Sequence, residues 1–318
     1  MTSSTLVKDD PILDRDAFLA ERQNYIGGSE VAAVLGLDTN KTRLELYNEK
    51  VGLTEPFAGN KHSQRGQKLE DTAAREFMDV TGKTVRRDRR TLIHSDYPFI
   101  RGHLDRRIQG TKRPLELKCP SRGMFYKVQR EGLQNSWIMQ GQTYMLLDGA
   151  EVLEWGVFCA DAWECIPFEQ KADSEIQQFI IREVVTFWNE NVLPRVPPKP
   201  TKLDNEIAAL ATQVGGDVIR RTDQEFIEAA QLLREAAALK SDGEMLYDLA
   251  KQRCIDSVNG EIGRYEGGGV RLYYMEQNGR KTFDKKLLAS VYPEINLAEF
   301  EKQGAPFKTF RPYFIGGE

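Results

Sequence analysis

Phe99-Ile100-Arg101-Gly102-His103-Leu104-Asp105-Arg106-Arg107-Ile108, a turn through Gln109-Gly110-Thr111, and Pro114-Leu115-Glu116-Leu117-Lys118-Cys119-Pro120 decide the reading of this chain. The two apolar-polar runs read as strands. Side chains alternate along a strand, so Ile100, Leu104 and Ile108 share one face of the first, and Arg101, His103, Asp105 and Arg107 the other. In the second, Leu115, Leu117 and Cys119 point one way and Glu116 and Lys118 the other. With Gly110-Thr111 at the centre of the turn, residues whose numbers sum to 221 oppose each other, which sets Asp105 against Glu116. Two carboxylates on one sheet face repel unless they share a cation. Hard oxygen ligands suit Mg2+ or Mn2+, which keep several waters and take phosphate oxygens. Lys118, on the same face, can hold a nucleophilic water or a phosphate oxygen. Metal, water and ammonium together form a set for phosphodiester hydrolysis. From spacing alone, a surface strand with ordinary cross-strand charge pairs is the more economical reading, because Glu-x-Lys is common.

Helical and strand periods alternate on both sides of this pair. Gly27-Gly28-Ser29 opens a short helix, Glu30 to Leu35, with Ser or Gly as the N-cap. Leu69, Ala73, Phe77 and Val80 recur at helical spacing over Gln64 to Val80, and Thr81-Gly82 ends the run. A strand at 83–93 precedes the central pair. A helix at 134–147, strands at Val152 to Cys159 and Trp163 to Phe168, and a long helix at 173–190 follow it. This order predicts an α/β domain with a small mixed sheet flanked by helices.

The proline cluster Pro194, Pro197, Pro198 and Pro200 favours extended backbone and cannot continue a helix. It divides the chain into a domain at 1–200 and a smaller α+β domain at 201–318. In the second, an apolar stripe over 222–255 is interrupted at Ser241-Asp242-Gly243, which predicts an antiparallel helical pair or a single kinked helix. A hairpin from Gly269 to Phe283 around Asn278-Gly279, a short helix at 286–302 and a strand from Pro306 to Phe314 close the chain. Its interleaved basic and aromatic residues read as a small β core with a charged rim rather than as a base-stacking surface.

Composition narrows the function classes. The chain has 318 residues, 40% hydrophobic and 29% charged, with mean hydropathy −0.51. No stretch approaches a membrane span, and the first residues lack the apolar run of a signal peptide. Four cysteines without Cys-x-x-Cys spacing and three histidines argue against a disulfide framework and a Cys/His zinc site. A cytoplasmic protein is expected. The net charge of −4 argues against a generic nucleic-acid binder, but its distribution does not. Residues 83–130 hold 14 Lys and Arg against Asp88, Asp96, Asp105 and Glu116, a balance of +10 that leaves −14 elsewhere. Such polarity can steer a polyanion to one face.

Asp105, with Glu116-Leu117-Lys118 followed by Cys119-Pro120-Ser121, resembles the signature of the restriction-endonuclease-like nucleases, in the subgroup typified by lambda exonuclease and the YqaJ viral recombinases. Three further motifs keep that family's order. Arg22-Gln23-Asn24-Tyr25-Ile26-Gly27-Gly28-Ser29 is similar to its N-terminal motif, and Arg65-Gly66-Gln67-Lys68-Leu69-Glu70 to its helix-borne carboxylate motif. Trp137-Ile138-Met139-Gln140 stands where the family has Tyr-x-x-Gln, with tryptophan replacing the tyrosine. The likeness spans residues 15–190.

The resemblance implies a restriction-endonuclease-like core and a Mg2+-dependent exonuclease on double-stranded DNA ends. It implies digestion of the 5′-terminated strand, leaving 3′ single strands for a single-strand annealing protein, and a ring-shaped homotrimer. By the same resemblance Asp105, Glu116 and the backbone carbonyl of Leu117 would bind metal, with Mn2+ as substitute. Lys118 would orient the attacking water or stabilise charge. Glu70 would help position metal or water, and Gln140 the nucleophile or Lys118. Arg22 and Ser29 would hold a terminal phosphate, which free N–H groups at a helix start favour independently. Arg86, Arg87, Arg89 and Arg90 would track the DNA backbone. An endonuclease, a 3′-acting enzyme on the same core and a non-catalytic DNA-binding module are the competing readings.

Overall fold

The computed structural model describes residues 6–9, 21–54, 61–202, 221–276 and 285–293, with isolated positions between 202 and 221. The described residues divide into two compact units, one running to Leu249 and one starting at Ala250. The division falls inside a helix and does not coincide with the proline cluster near residue 200.

The first unit is α/β, with two mixed sheets flanked by helices. One sheet has the order β1 (Leu6–Asp9), β4 (Arg90–Ile93), β5 (Ile100–His103), β2 (Ile26–Gly27). The other runs β3 (Val85–Arg87), β6 (Arg106–Ile108), β7 (Pro114–Lys118), β8 (Val152–Cys159), β9 (Glu164–Lys171). In the second, β7 and β8 are parallel and the other neighbours antiparallel. The strands expected at 83–93 and 99–108 are each broken in two, and each gives one half to either sheet. A carboxylate accepts a backbone N–H at each break. Asp88 accepts the Arg90 N–H at 3.2 Å, and the Asp105 carboxylate accepts the Leu117 N–H at 2.8 Å in place of a ladder bond. Ile100 and Leu104 therefore pack into one apolar cluster and Ile108 into another, so the three do not share a face.

The register across the central turn is as the sequence predicts: Arg106 pairs with Leu115 and Arg107 with Pro114. Gly110 takes a φ of +76° in that turn.

Helices cover the sheets. Two precede the central strands, α1 (Val31–Val34) and α2 (Arg43–Lys50), and α3 (Lys61–Thr81) leads into β3. After β7 come α4 (Arg122–Glu131), α5 (Asn135–Asp148) and α6 (Ser174–Phe187). A 3-10 turn, Gly28–Glu30, leads into α1 with Gly27 as its N-cap. From α3, Ala73, Ala74 and Phe77 are buried against Ile108, Leu115, Leu117 and Phe158, each large side chain contributing about 1.5–3 kcal/mol. Val80 is exposed instead of continuing the stripe. The helices α2 and α4 were not expected, although Thr42-x-x-Glu45 is a capping box: Glu45 N–H donates to Thr42 Oγ1 at 3.1 Å and Thr42 N–H to Glu45 Oε2 at 2.8 Å.

The stretch expected to form a helical pair is one continuous helix, α7 (Gln224–Ser257). In the second unit, β10 (Gly263–Gly267) and β11 (Val270–Tyr274) form an antiparallel hairpin turning at Gly268-Gly269, with φ of +58° and +78°. Two adjacent positive φ values are what a two-residue hairpin turn demands. The expected turn at Asn278-Gly279 and the strand at 306–314 lie outside the described residues. A last helix, α8, covers Lys285–Val291.

Candidate active site

The break between β5 and β6 puts Asp105 beside the C-terminal half of β7. Its carboxylate reaches the Leu117 N–H. Within a strand the N–H and C=O of one residue face the same neighbour, so the Leu117 carbonyl also faces the Asp105 side rather than β8. Glu116, one residue earlier on β7, is buried. Gln140 on α5 ties the site together: its Nε2 donates to Glu116 Oε1 at 2.8 Å, and its Oε1 accepts from Lys118 Nζ at 2.9 Å. Lys118 Nζ also lies 3.1 Å from Glu116 Oε1. Two indoles flank that ammonium, Trp137 with its ring centroid at 6.0 Å and Trp155 at 5.9 Å, at the edge of cation–π range.

The electrostatics of the pair are those of a site short of positive charge. Burial and then the neighbouring Asp105 push the Glu116 carboxyl up to about 8, against the pull of Lys118. Burial likewise raises Asp105, despite the Leu117 N–H bond. Glu116 Oε2 is buried with no hydrogen-bond partner. A buried carboxylate oxygen without donor or cation costs desolvation energy that nothing offsets. Two oxygen-bearing acids with an orphaned oxygen between strands fit a hard divalent cation. Among the described residues no group of three or more His, Cys, Asp or Glu forms a ready ligand set. The protein ligands on offer are two carboxylates and a carbonyl.

Glu70 projects from α3 on the side that carries Ala73 and Ala74 to the sheet. It is not free: the Arg106 guanidinium binds its Oε1. The same guanidinium donates to Asp71 Oδ1 at 2.6 Å and to the Asp105 carbonyl at 2.7 Å. Arg106 is itself buried, so it is the fixed cation that holds Glu70 beside Asp105.

Arg22 and Ser29 stand differently from one another. Arg22 Nη2 lies 2.6 Å from Glu30 Oε1, and its carbonyl accepts from Lys50 Nζ at 2.6 Å. Glu30 is buried and also binds Lys50 Nζ at 2.7 Å and the Gly27 N–H at 2.9 Å. Burial would raise the Glu30 carboxyl, but Lys50 and Arg22 outweigh it and leave it at about 2. Ser29 is exposed on the 3-10 turn. That turn touches the site through Tyr144. A Cβ on Gly28 would stand 2.3 Å from Tyr144 Cε1, and the Tyr144 hydroxyl accepts from Gln140 Nε2 at 3.0 Å.

The basic segment is partly neutralised by acids from elsewhere in the chain. Arg107 pairs with Asp88 at 3.1 Å and Asp148 at 2.6 Å, and Arg90 joins that pair at 2.5 Å from Asp88. Lys83 and Arg113 bind Glu154. Of the four arginines expected to track DNA, Arg87 meets exposed Asp71 at 2.6 Å, and Arg86 and Arg89 point into solvent.

The sequence reading missed Tyr144, Arg106 and Trp155. The spacing of Gln140 and Tyr144, four apart on one helix, signals the first. Arg106 and Arg107 are both buried, and nothing in the sequence shows which of them reaches Glu70.

The sequence pattern of the YqaJ-like viral recombinase domain matches residues 17–151. YqaJ of Bacillus subtilis (strain 168) is 31% identical over 266 residues, 80% of this chain and 82% of that protein. The chain belongs to the YqaJ-like viral recombinase family. Among solved structures it is similar to the alkaline exonuclease LHK-Exo from Laribacter hongkongensis, at 20% identity and a TM-score of 0.48 over 63% of this chain and 100% of that one. It is also similar to a phage-related exonuclease from Haemophilus somnus 129PT, at 15% identity and a TM-score of 0.41 over 60% and 96% of the two chains. No helix among the described residues is long and apolar enough to cross a membrane.

Proposed function

We propose that the protein is a Mg2+-dependent DNA exonuclease that digests the 5′-terminated strand from duplex ends. The observation that carries this reading is the buried Glu116, with one oxygen on Gln140 and Lys118 and the other unpartnered beside Asp105. Asp105, Glu116 and the Leu117 carbonyl would hold Mg2+ or Mn2+, which supplies Lewis acidity toward a phosphate oxygen and a more acidic water. Lys118 faces the same space and stabilises negative charge as it develops on the phosphate. Gln140 fixes the Lys118 ammonium and Glu116 relative to one another. Arg106 holds Glu70 at the rim, where its carboxylate can accept a proton or orient water.

Ser29 and the exposed edge of Arg22 form the terminal-phosphate contact of this reading, and Arg86 and Arg89 its backbone contacts. A 3′ single strand would pass to an annealing protein, in a homotrimer and in the cytoplasm, as the family resemblance implies. Electron paramagnetic resonance of Mn2+ titrated into the parent and into Glu116→Gln tests the metal centre apart from turnover. The parent should immobilise Mn2+ and the variant should not. Equal binding by both would remove Glu116 from the metal site.

A further inference from the structure

Trp163 lies in the left-handed backbone region, with φ +54°. It ends the turn between β8 and β9, next to the closing pair of Cys159 and Glu164. A large L-residue is strained there, where glycine or asparagine is at ease. The strain does not serve burial. The indole is 60% exposed and meets the buried Phe158 edge to face, with ring centroids 5.4 Å apart. Both flanking helices pin the turn. From α3, Arg65 Nη2 lies 3.0 Å from Asp161 Oδ2. From α4, the Tyr126 hydroxyl donates to Glu164 Oε1 at 3.3 Å, and Ala162 packs against the cluster of Phe125 and Val128. Backbone strain that the surroundings fix this firmly is characteristic of ligand-contacting positions.

The turn stands at the end of the sheet where the catalytic residues lie. Lys118 on β7 is opposite Val157 on the parallel β8. β8 ends at Cys159, so it runs on about 7 Å past Lys118 before the turn begins. Arg65 precedes Glu70 on the same helix by about 7.5 Å of rise. Between them Gly66 lies in mid-helix, and a Cβ there would meet nothing within 4 Å. No packing explains that glycine, and bare helix backbone admits the close approach of a ligand. Lys68, close to one turn on from Arg65, is exposed.

We propose that Trp163 is a stacking platform for an unpaired base of the DNA strand that digestion leaves behind, with Arg65 and Lys68 meeting that strand's phosphates across Gly66. An indole face in water takes any base free of its pair, whatever the sequence. A base inside a duplex offers only its groove edges, so the ligand is single-stranded. Arg65 uses one Nη on Asp161, and a guanidinium fork carries five donors, enough to reach a phosphate oxygen as well. This rests on the DNA-nuclease reading and gives the product strand a place beside the active centre.

The test uses the full chain carrying Glu116→Gln, to prevent cutting, and two labelled DNAs: a blunt duplex and the same duplex with a 3′ single-stranded tail. Adding Trp163→Gly should weaken binding of the tailed duplex about tenfold, the loss of one stacked base, and leave the blunt duplex unchanged. Trp163→Tyr, which keeps an aromatic face, should retain most of the affinity. A fluorescent base analogue in the tail should be quenched on binding to the parent and not to Trp163→Gly. Equal affinity and equal quenching in parent and Trp163→Gly would overturn the platform. So would equal weakening on both DNAs together with a lowered unfolding midpoint, the pattern of a ring that merely packs on Phe158. If the wild type digests duplex while either of those results is found, the platform alone falls. If the parent binds neither DNA and the wild type digests none, the nuclease reading falls and the platform with it.

Discussion

Gly28 has no room for a side chain, because a methyl group there would overlap the Tyr144 ring. Gly28→Ala should cost about 1–3 kcal/mol by overpacking, read as a lower denaturant midpoint, and should slow DNA digestion by disturbing Gln140. A midpoint equal to the parent's would show that the turn yields freely. Lys118→Ala should abolish digestion while the protein still unfolds in one cooperative transition, although Glu116 loses a cation at 3.1 Å; digestion at the parental rate would displace the assigned centre. The terminal-phosphate role is best probed at Ser29. Arg22 also braces Glu30, so its removal mixes stability with recognition, whereas Ser29→Ala should narrow the preference for 5′-phosphorylated over 5′-hydroxyl ends without loss of stability. The same preference in parent and variant would remove Ser29 from that contact. At this scale the sequence showed Asp105, Glu116, Lys118 and Gln140, because strand alternation and a counted turn bring the first three together and the family motif adds the fourth. It hid Arg106, whose partner lies 36 residues away and follows from packing alone.

The elements were legible where one period runs undisturbed, as in α5 and β8, and not where a side chain takes over a backbone bond. The breaks at Asp88 and Asp105 are of the second kind: at each, a carboxylate accepts a backbone N–H. The 3-10 turn and α2 are joined by the buried Glu30–Lys50 pair. Glu30 has a folded value of about 2, below its ordinary value near 4.3. A depressed carboxyl stabilises the fold fully above about pH 4.3, and that stability is lost as pH falls toward 2. Stability should therefore decline through that window in the parent, and Glu30→Gln should flatten the decline. The variant should also lose roughly 3–5 kcal/mol at neutral pH, because Lys50 is left buried without its partner. A variant as stable as the parent at pH 7 would mean that water replaces the carboxylate.

Over the whole molecule, charge is less one-sided than the +10 segment suggests, since acids outside it claim Lys83, Arg107 and Arg113. Counterion release should then depend on the cations that no acid claims. Replacing Arg86 and Arg89 together by Gln in a cleavage-dead protein should make the plot of log affinity against log salt shallower by about 2, close to one for each phosphate no longer neutralised; an unchanged slope would place both arginines away from the DNA. The central claim is that the Asp105, Glu116 and Lys118 centre hydrolyses DNA from the ends of a duplex, starting at the 5′ terminus. The direct measurement is digestion of a linear duplex labelled at its 5′ or its 3′ termini, with Mg2+ and with chelator, beside a closed circle of the same sequence. The account predicts early release of the 5′ label, late release of the 3′ label, an intact circle, and no reaction in chelator. Cutting of the circle as fast as the linear duplex, or release of the 3′ label first, would contradict it.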